Sequence, residues 1–213
     1  MNSGSAGFSL HRLLVATQNR AKAAEIADML RSEDLDLEVV SLADHPDVAL
    51  PPETGRTFGE NALAKAKAAA AATGIPAVAD DSGLEVDALG GEPGVMSARY
   101  SGADAGDEDR YRKVLGLMED VPDERRTARF RCAAAYAAPE GETLLAEGTV
   151  EGRIAREPAG SGGFGYDPIF IPDGETRTMA QLTPGEKHSI SHRGRAFRAL
   201  AKLIRGRQSA PSA

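Results

Sequence analysis

Apolar positions fall into short runs separated by polar, Gly- and Pro-containing stretches, and their spacing changes from run to run. Arg12-Leu13-Leu14-Val15-Ala16-Thr17 is a run of strand length, Gln18-Asn19-Arg20 reads as a turn, and Ala21 to Leu30 as a helix. Ala24, Ile26, Ala27 and Leu30 are available for the apolar side of that helix. Leu37-Glu38-Val39-Val40 predicts a second strand, followed by a Pro-containing loop through Leu50-Pro51-Pro52-Glu53-Thr54-Gly55. Thr57-Phe58-Gly59-Glu60 matches a capping box, in which hydroxyl and carboxylate satisfy the backbone donors that a helix start leaves open. The alanine-rich run to Thr73 is then a helix, stopped by Gly74 and Pro76. Ala77-Val78-Ala79 predicts a strand that brings Asp80 and Asp81 to its end, where open α/β sheets place their ligands. Farther on come a helix near Asp107 to Met118, two strands around Arg129 to Ala138 and Thr143 to Val150 joined by Pro139-Glu140-Gly141, and a final helix near Arg195 to Ile204. Strands alternating with helices in this way predict an α/β protein.

Charge and composition narrow the function. With 25 Lys+Arg against 32 Asp+Glu the net charge is −7, so the chain has no overall field for wrapping nucleic acid, and a polyanionic ligand must be met by local cations. A nucleic-acid reading draws only on the Arg-rich stretch Arg193 to Arg207. The single cysteine, Cys132, excludes an intrachain disulfide scaffold and fits a reducing compartment. No apolar run approaches the roughly 18 residues of a membrane helix, and Met1 to Gly7 lacks the basic and apolar regions of a signal peptide. A cytoplasmic protein with neither nucleic-acid nor membrane partner is expected. The 213 residues suffice for one large domain or two lobes sharing a sheet. Residues 1 to about 10 and 208–213 read as a leader and a tail, which leaves 11–207 as one two-lobed domain.

Several constellations carry candidate chemistry, each with a plainer alternative. Asp80-Asp81-Ser82-Gly83 offers hard oxygen ligands for Mg²⁺, with Glu53 in another loop; the alternative is one Asp capping a turn and the other solvated. Gly160-Ser161-Gly162-Gly163-Phe164-Gly165 fits G-x-G-x-x-G but fails its context, because a short strand bracketed by prolines follows instead of a helix. What remains is either a glycine loop that lets a ligand approach the backbone beside an aromatic ring, or a surface loop with one core aromatic. His188 and His192 are four apart, which on one helix would suit zinc, yet no H-E-x-x-H and no nearby cysteine supports it. Lys187, Arg193 and Arg195 form a local basic patch; cations at a helix N-terminus oppose the macrodipole and favour an anion nearby. Thr17-Gln18-Asn19-Arg20-Ala21-Lys22 gathers a hydroxyl, an amide, a helix N-terminus and an ammonium group, all suited to phosphate, without Walker spacing; an ordinary polar turn is its alternative. No G-x-S-x-G elbow and no Cys-His pair supports acyl transfer.

Together these describe a site for a nucleoside triphosphate. The ordered set Thr17-x-Asn19-x-x-Lys22, Glu53-Thr54-Gly55-x-Thr57-Phe58-x-Glu60-Asn61-Ala62, Ala79-Asp80-Asp81-Ser82-Gly83-Leu84, Ser97-Ala98-Arg99-Tyr100-Ser101-Gly102, Gly163-Phe164-Gly165-Tyr166-Asp167-Pro168 and Ser191-His192-Arg193 closely resembles the inosine triphosphate pyrophosphatase family over residues 12–205. Gln18 departs from it, since glycine is frequent there in the family.

The resemblance implies an α/β fold with an elongated central mixed β-sheet flanked by helices, two lobes with the active-site cleft between them, and a homodimer. It implies Mg²⁺-dependent hydrolysis of ITP, dITP and XTP to the monophosphate and pyrophosphate. It further implies Glu53 and Asp81 as metal carboxylates, Asp81 as proton acceptor and Ser82 against the substrate. Thr17, Gln18, Asn19, Arg20, Ala21 and Lys22 match the phosphate-binding block, and Phe164, Gly165, Tyr166, Asp167, Lys187, His192 and Arg193 match base and phosphate contacts. Chemistry agrees with those roles: attack at the α-phosphorus brings an oxygen nucleophile to an anionic chain, which a metal held by carboxylates eases. Arg193 offers only donors, complementary to the oxygen at purine position six and not to the amine of adenine, so ATP is rejected. Excluding GTP requires a further penalty at position two. The competing reading is a purine-nucleotide-binding or sensing module that holds a triphosphate without cleaving it.

Overall fold

The computed structural model describes residues 11–33 and 37–208. The leader and all but the first residue of the expected tail lie outside the described residues. Six strands, β1 (Arg12–Val15), β2 (Glu38–Ser41), β3 (Ala77–Val86), β4 (Thr127–Ala137), β5 (Thr143–Ile154) and β6 (Phe170–Pro172), form one sheet in the order β2-β1-β3-β4-β5-β6. The pairs β1–β2 and β1–β3 are parallel and β5–β6 is antiparallel, so the sheet is mixed, as expected. The helices are α1 (Arg20–Arg31), α2 (Phe58–Thr73), α3 (Asp107–Leu117), α4 (Pro184–Ile190) and α5 (His192–Gln208). No helix among the described residues is long and apolar enough to cross a membrane.

Chain contacts divide into two compact units, one made of the residues through Asp81, Ala133–Glu147 and those from Ala196 onward, the other of Ser82–Cys132 and Gly148–Arg195. In the first unit β1 lies between β2 and β3, so the chain moves outward through α1 and then back past its starting strand through α2. Right-handed crossovers in opposite directions put α1 and α2 on opposite faces of the sheet. The register Leu14↔Ala77, Val15↔Val78 sets the carboxyl end of β1 two residues before the Asp pair of β3. Leu13, Leu14, Ile26, Met29 and Leu30 are buried, whereas Ala24 is exposed; the inner stripe of α1 uses Met29 where the periodicity predicted Ala24. α2 buries Phe58, Asn61, Ala62, Lys65, Ala66, Ala69 and Ala70, a continuous three-and-four spacing that includes two polar residues. Gly74 ends it in the left-handed conformation, as expected.

The capping box at α2 is only half as predicted. Thr57 Oγ1 accepts the Glu60 N–H at 3.1 Å, but Glu60 Oε2 accepts from Arg56 N at 2.6 Å, one residue before the N-cap. A larger difference is β3, which continues to Val86 and carries Asp80, Asp81 and Ser82 in its interior instead of ending at them. Acidic residues tolerate a buried strand when cations and amides from flanking helices meet them, and here they do.

The second unit packs Leu84, Val86, Val114, Met118, Ala128, Phe130, Val150, Ile154, Ile169 and Phe170 into one core. Buried Arg126 donates to the carbonyls of Ile154, Met118, Val121 and Ala155, gathering the end of α3 and the end of β5. α5 begins at His192, three residues before the predicted start, and buries Ala196, Phe197, Leu200, Ala201 and Ile204 in the first unit.

Candidate active site

Asp80 and Asp81 are successive strand residues, so their side chains leave opposite faces of the sheet. On the α1 face, Lys22 Nζ lies 3.5 Å from Asp80 Oδ2. On the α2 face, Asn61 Nδ2 donates to Asp81 Oδ2 at 2.8 Å, and Lys65 Nζ lies 3.6 Å from Asp81 Oδ1. The same ammonium donates to Glu53 Oε1 at 2.6 Å. Glu53 and Asp81, on separate segments, therefore converge on one cation. The pleat separates the adjacent acids, so Asp80 meets Lys22 while Asp81 meets Asn61 and Lys65.

The Glu53 loop is fixed by the same helix. Gly55 N–H donates to Asn61 Oδ1 at 2.7 Å, and a Cβ at position 55 would meet that oxygen at 2.6 Å, so only glycine fits. Asn61 thus accepts from the loop and donates to Asp81 with opposite ends of one amide. Burial raises the pKa of Asp81, helped by Glu53 and opposed by Lys65, Asn61 and Lys22. Burial would lower Lys65, but Asp81, Asp80 and Glu53 outweigh it and hold the ammonium above its ordinary value. Lys65 stays charged, and Asp81 is more basic than an exposed aspartate.

Thr17 to Lys22 spans the turn from β1 into α1. Asn19 is the N-cap, its Oδ1 accepting the Lys22 N–H at 3.1 Å, and Thr17 Oγ1 accepts from Asn19 N at 3.2 Å. The turn presents the N-terminal, positive end of a helix. Thr17, Gln18 and Arg20 line a cavity of about 230 Å³ completed by Ser41 at the end of β2 and by Leu42 and His45 after it.

In the second unit, Asp167 organises the glycine loop. Its Oδ2 accepts from Phe164 N at 2.8 Å and from Lys187 Nζ at 2.9 Å. Gly163 has φ +71, and a Cβ there would collide with the same oxygen, which explains the glycine. Lys187 Nζ sits 4.7 Å from the Phe164 ring centroid and the Arg193 guanidinium 5.4 Å from it. Both are cation–π distances. Arg193 Nη2 donates to Ser82 Oγ at 3.0 Å. Lys187 and Arg193 are buried, so two cations of the expected basic patch flank one aromatic ring.

Two expected contacts have other surroundings as well. Tyr166 is buried, donates from its hydroxyl to Ser97 O at 2.9 Å, and has its phenol pKa raised by burial. His192 is buried and stacks on Phe130 at 4.8 Å between ring centroids. His188 lies on α4 and His192 on α5, with Ser191 between, so the shared helix face needed for zinc does not form.

The Ham1 family profile matches residues 13–203. This chain belongs to the Ham1 family. It is 50% identical over 194 residues to the dITP/XTP pyrophosphatase of Streptomyces coelicolor, a match covering 91% of this chain and 97% of that one. With the dITP/XTP pyrophosphatase of Mycobacterium tuberculosis it shares 52% identity over 195 residues, covering 91% and 95%. The structure of a HAM1 protein from Coxiella burnetii superposes with a TM-score of 0.83 at 44% identity, over 92% of this chain and all of that one.

Family membership carries Mg²⁺ dependence as its usual property. Among the described residues of this Ham1-family chain, no group of three or more His, Cys, Asp and Glu would hold a metal by itself. Mg²⁺ in phosphate sites usually takes only one or two carboxylates, the substrate and water supplying the rest. Two carboxylates already facing one ammonium fit that requirement. Sequence reasoning assigned no role to Asn61 or Lys65, although both stand out as polar residues on the alanine-lined buried stripe of α2.

Proposed function

We propose that this chain hydrolyses deaminated purine nucleoside triphosphates, ITP, dITP and XTP, to the monophosphate and pyrophosphate, with Mg²⁺, and so clears them from the nucleotide pool. The observation that carries the reading is the convergence of Glu53 and Asp81 on a single cation, the Lys65 ammonium.

Glu53 and Asp81 would hold Mg²⁺ through hard carboxylate oxygens. When bound, Mg²⁺ supplies charge neutralisation at phosphate oxygens and makes water more acidic. Water attacks the α-phosphorus, the bond from that phosphorus to the bridging oxygen breaks, and pyrophosphate leaves with the bonding electrons. Asp81 takes the proton of the attacking water; its raised pKa makes it a better acceptor. Asn61 keeps one oxygen of that carboxylate engaged and so fixes its direction. The Thr17–Lys22 turn supplies N–H donors and the Lys22 ammonium to the phosphates. Phe164 stacks on the base, while Lys187, His192 and Arg193 with the Gly165–Asp167 backbone supply base and phosphate contacts. Arg193, as a pure donor, favours an oxygen at purine position six over an amine. A homodimer, supported by the family resemblance, belongs to the same reading; sedimentation would then give twice the 22.3 kDa chain mass.

The test is product analysis with Mg²⁺ and ITP, XTP, GTP or ATP. Pyrophosphate from ITP and XTP, far faster than from ATP, is expected. Stepwise release of inorganic phosphate refutes the reaction class, and tight ITP binding without product supports a sensing module instead.

A further inference from the structure

The Phe164–Asp167 turn is held at three points. Asp167 accepts the Phe164 N–H, Ser97 O accepts the Tyr166 hydroxyl, and Asp107 Oδ2 accepts the Gly165 N–H at 2.7 Å. The third anchor comes from outside the motif. Asp107 is the first residue of α3, and its carboxylate is itself held: Oδ1 accepts from Arg110 Nη1 at 2.7 Å, while Arg110 Nη2 donates to Ala105 O. Each carboxylate oxygen thus serves one donor, Arg110 on one side and the glycine backbone on the other.

The turn needs such an anchor. Gly160, Gly163 and Gly165 all adopt positive φ, and a segment this rich in glycine loses much conformational freedom when it is fixed. At Gly165 nothing lies within 4 Å of a would-be Cβ, so side-chain packing does not define that residue and its backbone hydrogen bond does. Gly165 follows directly on Phe164, whose ring faces Lys187 and Arg193.

We propose that Asp107, locked by Arg110, is a positioning residue that fixes the Phe164–Gly165 backbone and thereby sets the affinity for the purine base. The inference rests on the nucleotide reading given above. A preformed turn binds without a further ordering cost, so losing the anchor weakens substrate binding and leaves the chemistry at Asp81 alone.

The test uses the full-length chain and three variants, with thermal melts confirming that each is folded. Asp107→Ala removes both acceptors and is expected to raise KM for ITP about tenfold with kcat within about twofold. Asp107→Asn leaves one oxygen for two donors and raises KM several-fold. Asp107→Asn combined with Arg110→Met returns that oxygen to Gly165 and brings KM back to within about twofold of wild type. A merely structural role predicts no such rescue, because the double variant removes more contacts. Amide hydrogen exchange at Gly165, read by NMR without nucleotide, speeds up in Asp107→Ala and slows again in the double variant. Unchanged exchange, unchanged KM, or a loss confined to kcat overturns the proposal. A wild-type chain that cleaves ITP no faster than ATP overturns the nucleotide reading itself, before any variant is compared.

Discussion

Glu53 and Asp81 meet at one point, the Lys65 ammonium, which lies 2.6 Å from a carboxylate oxygen of the first and 3.6 Å from one of the second. Lys65 is buried, so Lys65→Gln leaves two carboxylates facing each other across a neutral amide. A loss of about 3 kcal/mol in stability is expected, the low end for breaking a buried ion pair because Glu53 is partly exposed. Mg²⁺ should raise the melting temperature more in this variant than in wild type, since a dication replaces the missing charge. Equal metal-induced shifts in thermal melts would show that the carboxylates do not share a cation.

Asp81→Asn removes the proton acceptor while keeping an oxygen for the Asn61 amide. The kcat for ITP should fall about 10²- to 10⁴-fold with the circular dichroism spectrum unchanged. Activity within tenfold of wild type would move the base role to another group.

Phe164→Leu keeps an apolar side chain and discards the aromatic face that Lys187 and Arg193 flank. Base stacking on an aromatic ring contributes about 1–3 kcal/mol, so KM for ITP should rise about tenfold. Steady-state kinetics showing a fall in kcat with KM constant would place Phe164 away from the base.

Glu186 closes the capping box of α4, accepting from Thr183 N at 2.8 Å, and that helix carries Lys187. Its bonds to the Thr183 backbone and hydroxyl, with Arg177, hold the carboxyl at about 2. A depressed pKa stabilises the fold above the ordinary glutamate value, and that contribution is lost as pH falls through the folded one. Glu186→Ala should therefore melt earlier than wild type near neutral pH, and the two curves should converge between about pH 4.3 and about pH 2. A gap that persists undiminished at the acid end would assign the effect to something other than this ionisation.

Much of the fold was legible because its elements have strong local signals. Thr57 and Gly74 bracket α2, and the apolar runs of β1 and β2 each flank a polar turn. β3 was read too short because Asp80, Asp81 and Ser82 look like a loop until Lys22, Asn61 and Lys65 are seen to meet the two carboxylates. Those partners come from helices remote in sequence, and spacing carries no record of them. The ion pair of Lys187 is invisible in spacing for the same reason: its partner Asp167 is twenty residues away. Asn61 and Lys65 were the recoverable omission, since an uncompensated amide and ammonium on an alanine face have no other reason to be there.

The Asn61 amide cannot turn over. Its oxygen is claimed by the Gly55 N–H, which leaves only its NH₂ for Asp81, and an NH₂ group favours a carboxylate that has lost its proton. A main-chain hydrogen in the Glu53 loop therefore biases the ionisation of a side chain on a different strand. Without that hydrogen the amide would be free to rotate and offer its oxygen, and the acid would keep its proton at a higher pH.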